Sequence, residues 1–256
     1  MKQFKFLAMA LLAMVMSVGF VACSSDDDDD NNGGGSVTSG KKLMSITEGD
    51  ENETFYTITF DYNSNGQLIK AGETDNPYIS LDWTSNSIIL KDNEESSVNI
   101  TLKDNKVTAA NSADNSSDIS FKYSGNSLTN FIEYDSKVSA EYNHKITWEN
   151  GNITKTEDGE GNINVATYYE DKVNKHPTID ITALNLDDAI PAEYGELLYL
   201  AHPSLFGSYN KNLLKSVTSK GETVNYSYEL DKDGYPTKIT ETVDNHTNTI
   251  YTLTWK

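Results

Sequence analysis

The stretch Tyr56–Ala71, YTITFDYNSNGQLIKA, sets Tyr56, Ile58 and Phe60 against Thr57, Thr59 and Asp61 and then runs into an Asn65-Gly66 pair. A period of two with one apolar face marks a half-buried antiparallel strand. Asn-Gly supplies the positive φ that a tight hairpin turn demands. Working outward, the same alternation recurs at Ile79-Leu81-Trp83, Val98-Ile100-Leu102, Ile119-Phe121-Tyr123, Ile146-Trp148, Tyr226-Tyr228-Leu230 and Tyr251-Leu253-Trp255. Turn pairs at Asp104-Asn105, Ser124-Gly125, Asn150-Gly151 and Asp233-Gly234 separate these runs. An isolated hairpin is marginal in water, so the hairpins must pair into one sheet. The sequence therefore predicts a mainly β fold. Residues 41–256 form a single antiparallel domain, a large curled sheet or barrel-like meander of repeated hairpins. One segment breaks the period. Between Leu184 and Val217, the positions Leu186, Ile190, Tyr194, Leu197, Leu198 and Ala201 share one helical face, with Pro191 suited to a first turn and Pro203 to an end. A short helical insert near residues 184–205 is expected, covering an open end or an apolar face of the sheet.

The chain begins MKQFKFLAMALLAMVMSVGFVAC. Two lysines, an apolar core and small residues before Cys23 are the three parts of a secretory signal peptide, assigned to residues 1–22. The apolar run falls short of the roughly 20 residues of a spanning helix. Cys23 is the single cysteine, and "FVAC" resembles a bacterial lipobox. The resemblance implies cleavage between Ala22 and Cys23 and a diacylglycerol on the Cys23 sulfur. Each lipid CH₂ buried would then contribute about 0.8 kcal/mol to anchoring. Residues 23–40, CSSDDDDDNNGGGSVTSG, read as a solvated, flexible tether. The Asp run also resembles the export signal that sends lipoproteins of the Bacteroidota to the outer face of the outer membrane.

Formal charge is −19, and all twenty Lys+Arg residues are lysine. That acidity opposes nucleic acid, and no bidentate guanidinium grip exists. The four histidines, His144, His176, His202 and His246, lack zinc-site spacing and read as satisfied surface or loop residues. No G-x-S-x-G elbow occurs. Carboxylate pairs such as Glu94-Glu95 and Asp187-Asp188 read as a solvated face. EDGEGNINVA, Glu157–Ala166, departs from a calcium loop because Gly159 directly follows Asp158, and it is expected to be a hairpin loop. No catalytic residue, metal ligand or cofactor is assigned. Trp83, Trp148 and Trp255 fall on apolar strand faces, where core packing competes with a sugar-stacking role. Trp83 and Trp148 are the candidate ligand-binding residues.

The lipidated start, the repeated Y-x-(F/L)-D-x-x-G hairpins, YELDKDGYPTKI (228–239) and LFGSYNKNLLKSVT (205–218) together resemble a family of Bacteroidota outer-membrane lipoproteins of unknown function with a porin-like or curled β-sheet fold. The resemblance implies no reaction. The expected function is a non-enzymatic, lipid-anchored surface protein binding a glycan or a small apolar ligand. The alternatives are an assembly partner of an outer-membrane protein complex and, more remotely, a carboxylate hydrolase. A membrane-spanning barrel requires apolar outward faces, and the outward residues here are polar.

Overall fold

A computed structural model describes residues 40–73, 76–93, 96–179, 190, 192, 194–244 and 246–256. The signal segment, Cys23, most of the tether, Glu94-Glu95, Leu184, Leu186, Asp187-Asp188 and Pro191 lie outside the described residues.

The alternating runs become strands, and the strands close. In chain order they are β1 (Leu43–Gly49), β2 (Thr54–Tyr62), β3 (Leu68–Glu73), β4 (Asn76–Trp83), β5 (Ser87–Asp92), β6 (Ser97–Lys103), β7 (Lys106–Ser112) and β8 (Ser117–Ser124). There follow β9 (Ser127–Asp135), β10 (Ala140–Glu149), β11 (Asn152–Glu157), β12 (Ile163–Val173), β13 (Asn212–Ser219), β14 (Glu222–Leu230), β15 (Pro236–Val243) and β16 (His246–Trp255). Every strand pairs antiparallel with its neighbours in sequence, and β16 returns to β1 to complete a closed barrel. The seam runs from Leu43↔Trp255 to Gly49↔Ile250. Just beyond it, Lys42 and Lys256 exchange backbone hydrogen bonds of 2.7 and 3.0 Å. Closure removes every sheet edge and its unpaired backbone groups.

The wall is apolar inside and polar outside. Ile58, Phe60, Ile88, Leu90, Val98, Ile100 and Phe131 are at most 1% exposed and face inward. Outside, hydroxyl pairs bridge neighbouring strands at Ser45–Thr254 (2.6 Å), Thr47–Thr57 (2.8 Å), Thr167–Ser216 (2.7 Å) and Thr218–Thr223 (2.8 Å). This reverses the pattern of a barrel whose outer band faces lipid.

The two ends of the barrel differ. At one, here the tether end, the even strands finish, the odd strands begin, and the chain enters β1. There the odd strands carry one extra residue beside the preceding strand: Met44, Ile69, Thr108, Thr129, Thr154, Lys215 and Thr237. Such a bulge interrupts the ladder and leaves backbone groups to be satisfied otherwise. Aromatic side chains on the following even strands satisfy six of the seven. Tyr62, Trp83, Tyr123, Trp148, Tyr168 and Trp255 donate to the carbonyls of Leu43, Leu68, Val107, Leu128, Ile153 and Pro236, at 2.6–2.9 Å. Each acceptor is the residue just before a bulge. The remaining odd strand, β5, pairs with β4 without a bulge, and the matching position on β6 is Leu102, whose side chain cannot donate.

The described part of the connection from β12 to β13 fills the interior from the tether end. Its helix α1 (Glu196–Ala201) is buried on every side, and a 3₁₀ turn (Pro203–Phe206) follows. Five of its six residues, all but Glu196, are apolar or aromatic, and a helix so composed belongs inside a protein. His202 Nε2 accepts the Leu68 N–H at 2.8 Å, and Asn210 Oδ1 accepts the Ile153 N–H at 2.9 Å. Leu68 is the first residue of β3 and Ile153 the second of β11, on opposite sides of the barrel, so the insert is pinned at both walls. Among the described residues, the short helical insert expected near 184–205 is this one helix and its 3₁₀ turn. Of the two expected places it takes the apolar face of the sheet, as a plug within the barrel, with Leu197, Leu198 and Leu200 packed in the same core as the inward strand residues. A further difference concerns Leu230, expected on the apolar face but 39% exposed. It sits at the last position of β14, beside the Thr237 bulge.

Candidate functional site: an acidic cavity at the far end

At the opposite, far end the inward face turns polar. Glu133 on β9 lies directly across from Tyr142 on β10. His144 follows two residues later and is 5% exposed. The β11–β12 turn closes over them, folded by Asp158. Its Oδ1 accepts the backbone N–H groups of Glu160 (2.9 Å) and Asn162 (2.8 Å), and its Oδ2 accepts the Asn162 side-chain amide at 2.7 Å. Gly159 makes the close approach possible, since a Cβ there would sit 2.4 Å from the Tyr142 Cβ. Glu133, Tyr142, His144, Asp158, Gly159 and Glu160 together line an open cavity of about 310 Å³, at the lower bound of ligand-sized pockets.

Its chemistry is dominated by acceptors. Glu133 Oε1 accepts the Ser117 hydroxyl at 3.2 Å, and a carboxylate can accept several more bonds. The described lysines beside this region serve the outer wall, where Lys145 and Lys155 both reach Glu157. His144 stacks on Phe131 with centroids 4.1 Å apart, and its Nδ1 is enclosed without a hydrogen-bond partner. Burial lowers its pKa to about 4, against the opposing pull of the Asp158 charge. The imidazole is therefore neutral at pH 7.

A second polar group crosses the seam. Tyr56, Glu48, Tyr251, Glu241 and Tyr226 stand on the adjacent strands β2, β1, β16, β15 and β14. Tyr56 donates to the Glu48 carboxylate, and the Asn248 amide donates to Glu241 at 2.6 Å. Burial raises Glu48 to about 7, with the Glu241 charge adding to the rise and the Tyr56 bond opposing it. Burial likewise raises Glu241.

The tryptophans lie elsewhere. Trp83 and Trp148 are half-buried at the tether end, packed against the core, with their indole N–H groups bound to the wall. Trp83 also meets His202 edge-on at 5.3 Å. The structure thus brings neither to the far-end cavity. The histidines divide: His176 and His202 stand in the β12–β13 connection, outside helix and strand as expected, yet buried; His144 is buried on the inward face of β10; and His246 is exposed. Glu157–Ala166 does contain the expected hairpin turn. Its role as a rim of the cavity was hidden in the sequence, because β9 and β10 had to be set beside it. A signal was present in the inward phase of Tyr142, His144, Ile146 and Trp148 along one strand.

Fold and site define a closed, plugged antiparallel barrel with a polar mouth at one end. The chain belongs to the family described as a domain of unknown function (DUF4595) with porin-like fold, whose model matches residues 76–238. It is similar in structure to a porin-like protein from Bacteroides uniformis ATCC 8492, with a TM-score of 0.65 and 18% identity, over 86% of this chain and 99% of that one. A porin-like protein from Bacteroides vulgatus ATCC 8482 gives a TM-score of 0.58 and 12% identity, over 84% and 99%. No curated protein matches the chain.

Proposed function

We propose that this protein is a lipid-anchored, non-enzymatic receptor of the outer-membrane surface that binds a small hydroxyl-rich ligand, of the glycan class, at its far-end mouth. The observation that carries this reading is the polarity of the barrel along its axis. The chain enters β1 at the plugged, aromatic-ringed end, and the acceptor-lined cavity opens at the other. With Cys23 acylated, a flexible tether of this length holds the plugged end within about 25 Å of the bilayer. The cavity then faces away from it. Carboxylates, a tyrosine and an imidazole are hydrogen-bonding partners for sugar hydroxyls, whereas a small apolar ligand would compete with the insert for the interior.

The test combines location with binding. Wild-type protein is expected in the membrane fraction, cut by protease added to intact cells, and Cys23→Ala is expected in soluble form. Purified wild-type barrel is expected to retain glycans on an array, with retention reduced in Glu133→Gln. Soluble wild-type protein, or an array with no retained glycan, would overturn the anchoring or the receptor reading respectively. One observation favours a hydrolase instead, namely that Glu133, Asp158 and Glu160 share a single cavity. New reducing ends from a retained glycan, lost in Glu133→Gln, would establish that alternative.

A further inference from the structure

We propose that the far-end cavity selects a ligand carrying a protonated amine beside its hydroxyls, an amino sugar in chemical class, over neutral and acidic analogues. The inference rests on the receptor reading and narrows its ligand.

Two independent observations support it. The first is charge without a counter-charge. Glu133, Asp158 and Glu160 line one cavity, and no ion pair among the described residues reaches any of them. Asp158 spends its oxygens on its own turn. Glu133 and Glu160 keep acceptor capacity, their described side-chain contacts being the Ser117 hydroxyl at 3.2 Å and the Asn162 amide at 3.5 Å. The second is the His144 imidazole. It is 5% exposed, lies on the inward face of β10, lines the cavity, and has an enclosed ring nitrogen without a partner. A buried polar group left unpaired is costly, and such groups in folded proteins call for an explanation. A ligand that engages the ring supplies one.

The donor count then sets the ligand class. Carboxylates accept only, and a neutral imidazole offers one acceptor nitrogen beside one N–H donor, so acceptors outnumber donors. An ammonium group is the complement, with three donors, no acceptor and a charge opposite to the site. An acidic sugar would meet like charge, and a neutral one would leave the carboxylates uncompensated. The cavity of about 310 Å³ suits a ligand of one or two sugar rings. The Gly159 backbone lies against Tyr142, so the rim is held close to the ring on which a sugar face would rest.

The test is titration calorimetry on the purified full-length mature chain with D-glucosamine, D-glucose and D-glucuronate at one pH and ionic strength. Glucosamine is expected to bind more tightly than glucose, and glucuronate not at all. Glu133→Gln and Glu160→Gln are each expected to weaken glucosamine about tenfold, the size of one charge-assisted hydrogen bond, without changing the melting temperature. Glu160 is an exposed turn residue, so that variant keeps the test valid even where Glu133→Gln perturbs the wall. Glu222→Gln, at the exposed start of β14, serves as the control and is expected to leave binding unchanged. Equal weakening by Glu222→Gln would show bulk attraction to an acidic protein and overturn the site. Glucose or glucuronate binding as tightly as glucosamine would overturn the amine inference while leaving a sugar receptor. Absence of binding by all three, together with an empty array, would overturn both.

Discussion

Glu48 shows how much one residue inside this barrel depends on its surroundings. Its carboxyl is 6% exposed, and burial holds its folded pKa near 7, above the ordinary glutamate value of about 4.3. A raised pKa favours the protonated form in the folded state. Its stabilising contribution is therefore complete below the unfolded pKa and is lost as pH climbs through 7. The loss is on the order of 3 kcal/mol. Glu48→Gln keeps an oxygen to accept the Tyr56 hydroxyl and cannot ionise. It is expected to melt at a higher temperature than wild type at pH 8.5 and at nearly the same temperature at pH 4.5. An equal shift at both pH values would mean that packing, not ionisation, sets the difference. The neighbours of Glu48 were not legible in the sequence. LMSITEG shows its inward phase, yet Tyr251 and Glu241 lie some two hundred positions away and meet it only across the closed seam.

At the scale of elements, the strands were readable and their bulges were not. Alternation identified β2, β4, β6, β8, β10, β14 and β16, whose inward positions run apolar and end, in most cases, on an aromatic. All the odd strands but β5 break phase one to three residues after they start, and that broken phase is why a period-two search passes over them. The aromatic ends of the even strands and the bulges of the odd strands form one device, a carbonyl released by the bulge and a Tyr or Trp tip to receive it. The insert shows the same dependence on close contact. Gly207, just after the 3₁₀ turn, has φ of +91°, and a Cβ there would lie 2.2 Å from the Asn126 carbonyl oxygen. The Ser208 N–H bonds that same oxygen at 2.7 Å. Gly207→Ala combines positive-φ strain with a backbone collision and is expected to cost at least about 2 kcal/mol, lowering the melting temperature by roughly 4–8 °C. Gly125→Ala is the reference, since that Gly also has positive φ but nothing stands within 4 Å of its Cβ. Equal losses in the two variants would show that the plug yields to the added methyl.

For the whole molecule, the balance of buried titratable groups sets an acid limit. Burial lowers His144 and His176 to about 4 and His202 to about 3. The hydrogen bond at His202 reinforces this, because Nε2 must stay unprotonated to accept the Leu68 N–H. A lowered pKa contributes stability that is present above the unfolded value of about 6.5 and lost as pH falls through the folded one. The barrel is expected to lose stability between about pH 6.5 and 4, by unfolding that starts with release of the plug. His202→Gln is expected to flatten that slope, read as melting temperature against pH. An unchanged slope would assign the acid sensitivity to groups other than the plug.

The sequence by itself determined the local matter of this protein: a meander of hairpins with one apolar face, polar turns between them, a helical interruption before the last hairpins, and an acidic chain without arginine. Period, turn chemistry and composition act over a few residues, and so they can be read from a few residues. Tertiary structure decided that β16 meets β1, that the apolar face turns inward around a plug pinned at β3 and β11, and that Glu133, His144 and Glu160 share one cavity. Closure depends on the twist, stagger and bulges of sixteen strands acting together, a sum that no single stretch records. The cavity exists only once the β9–β10 and β11–β12 hairpins are brought side by side at the same end.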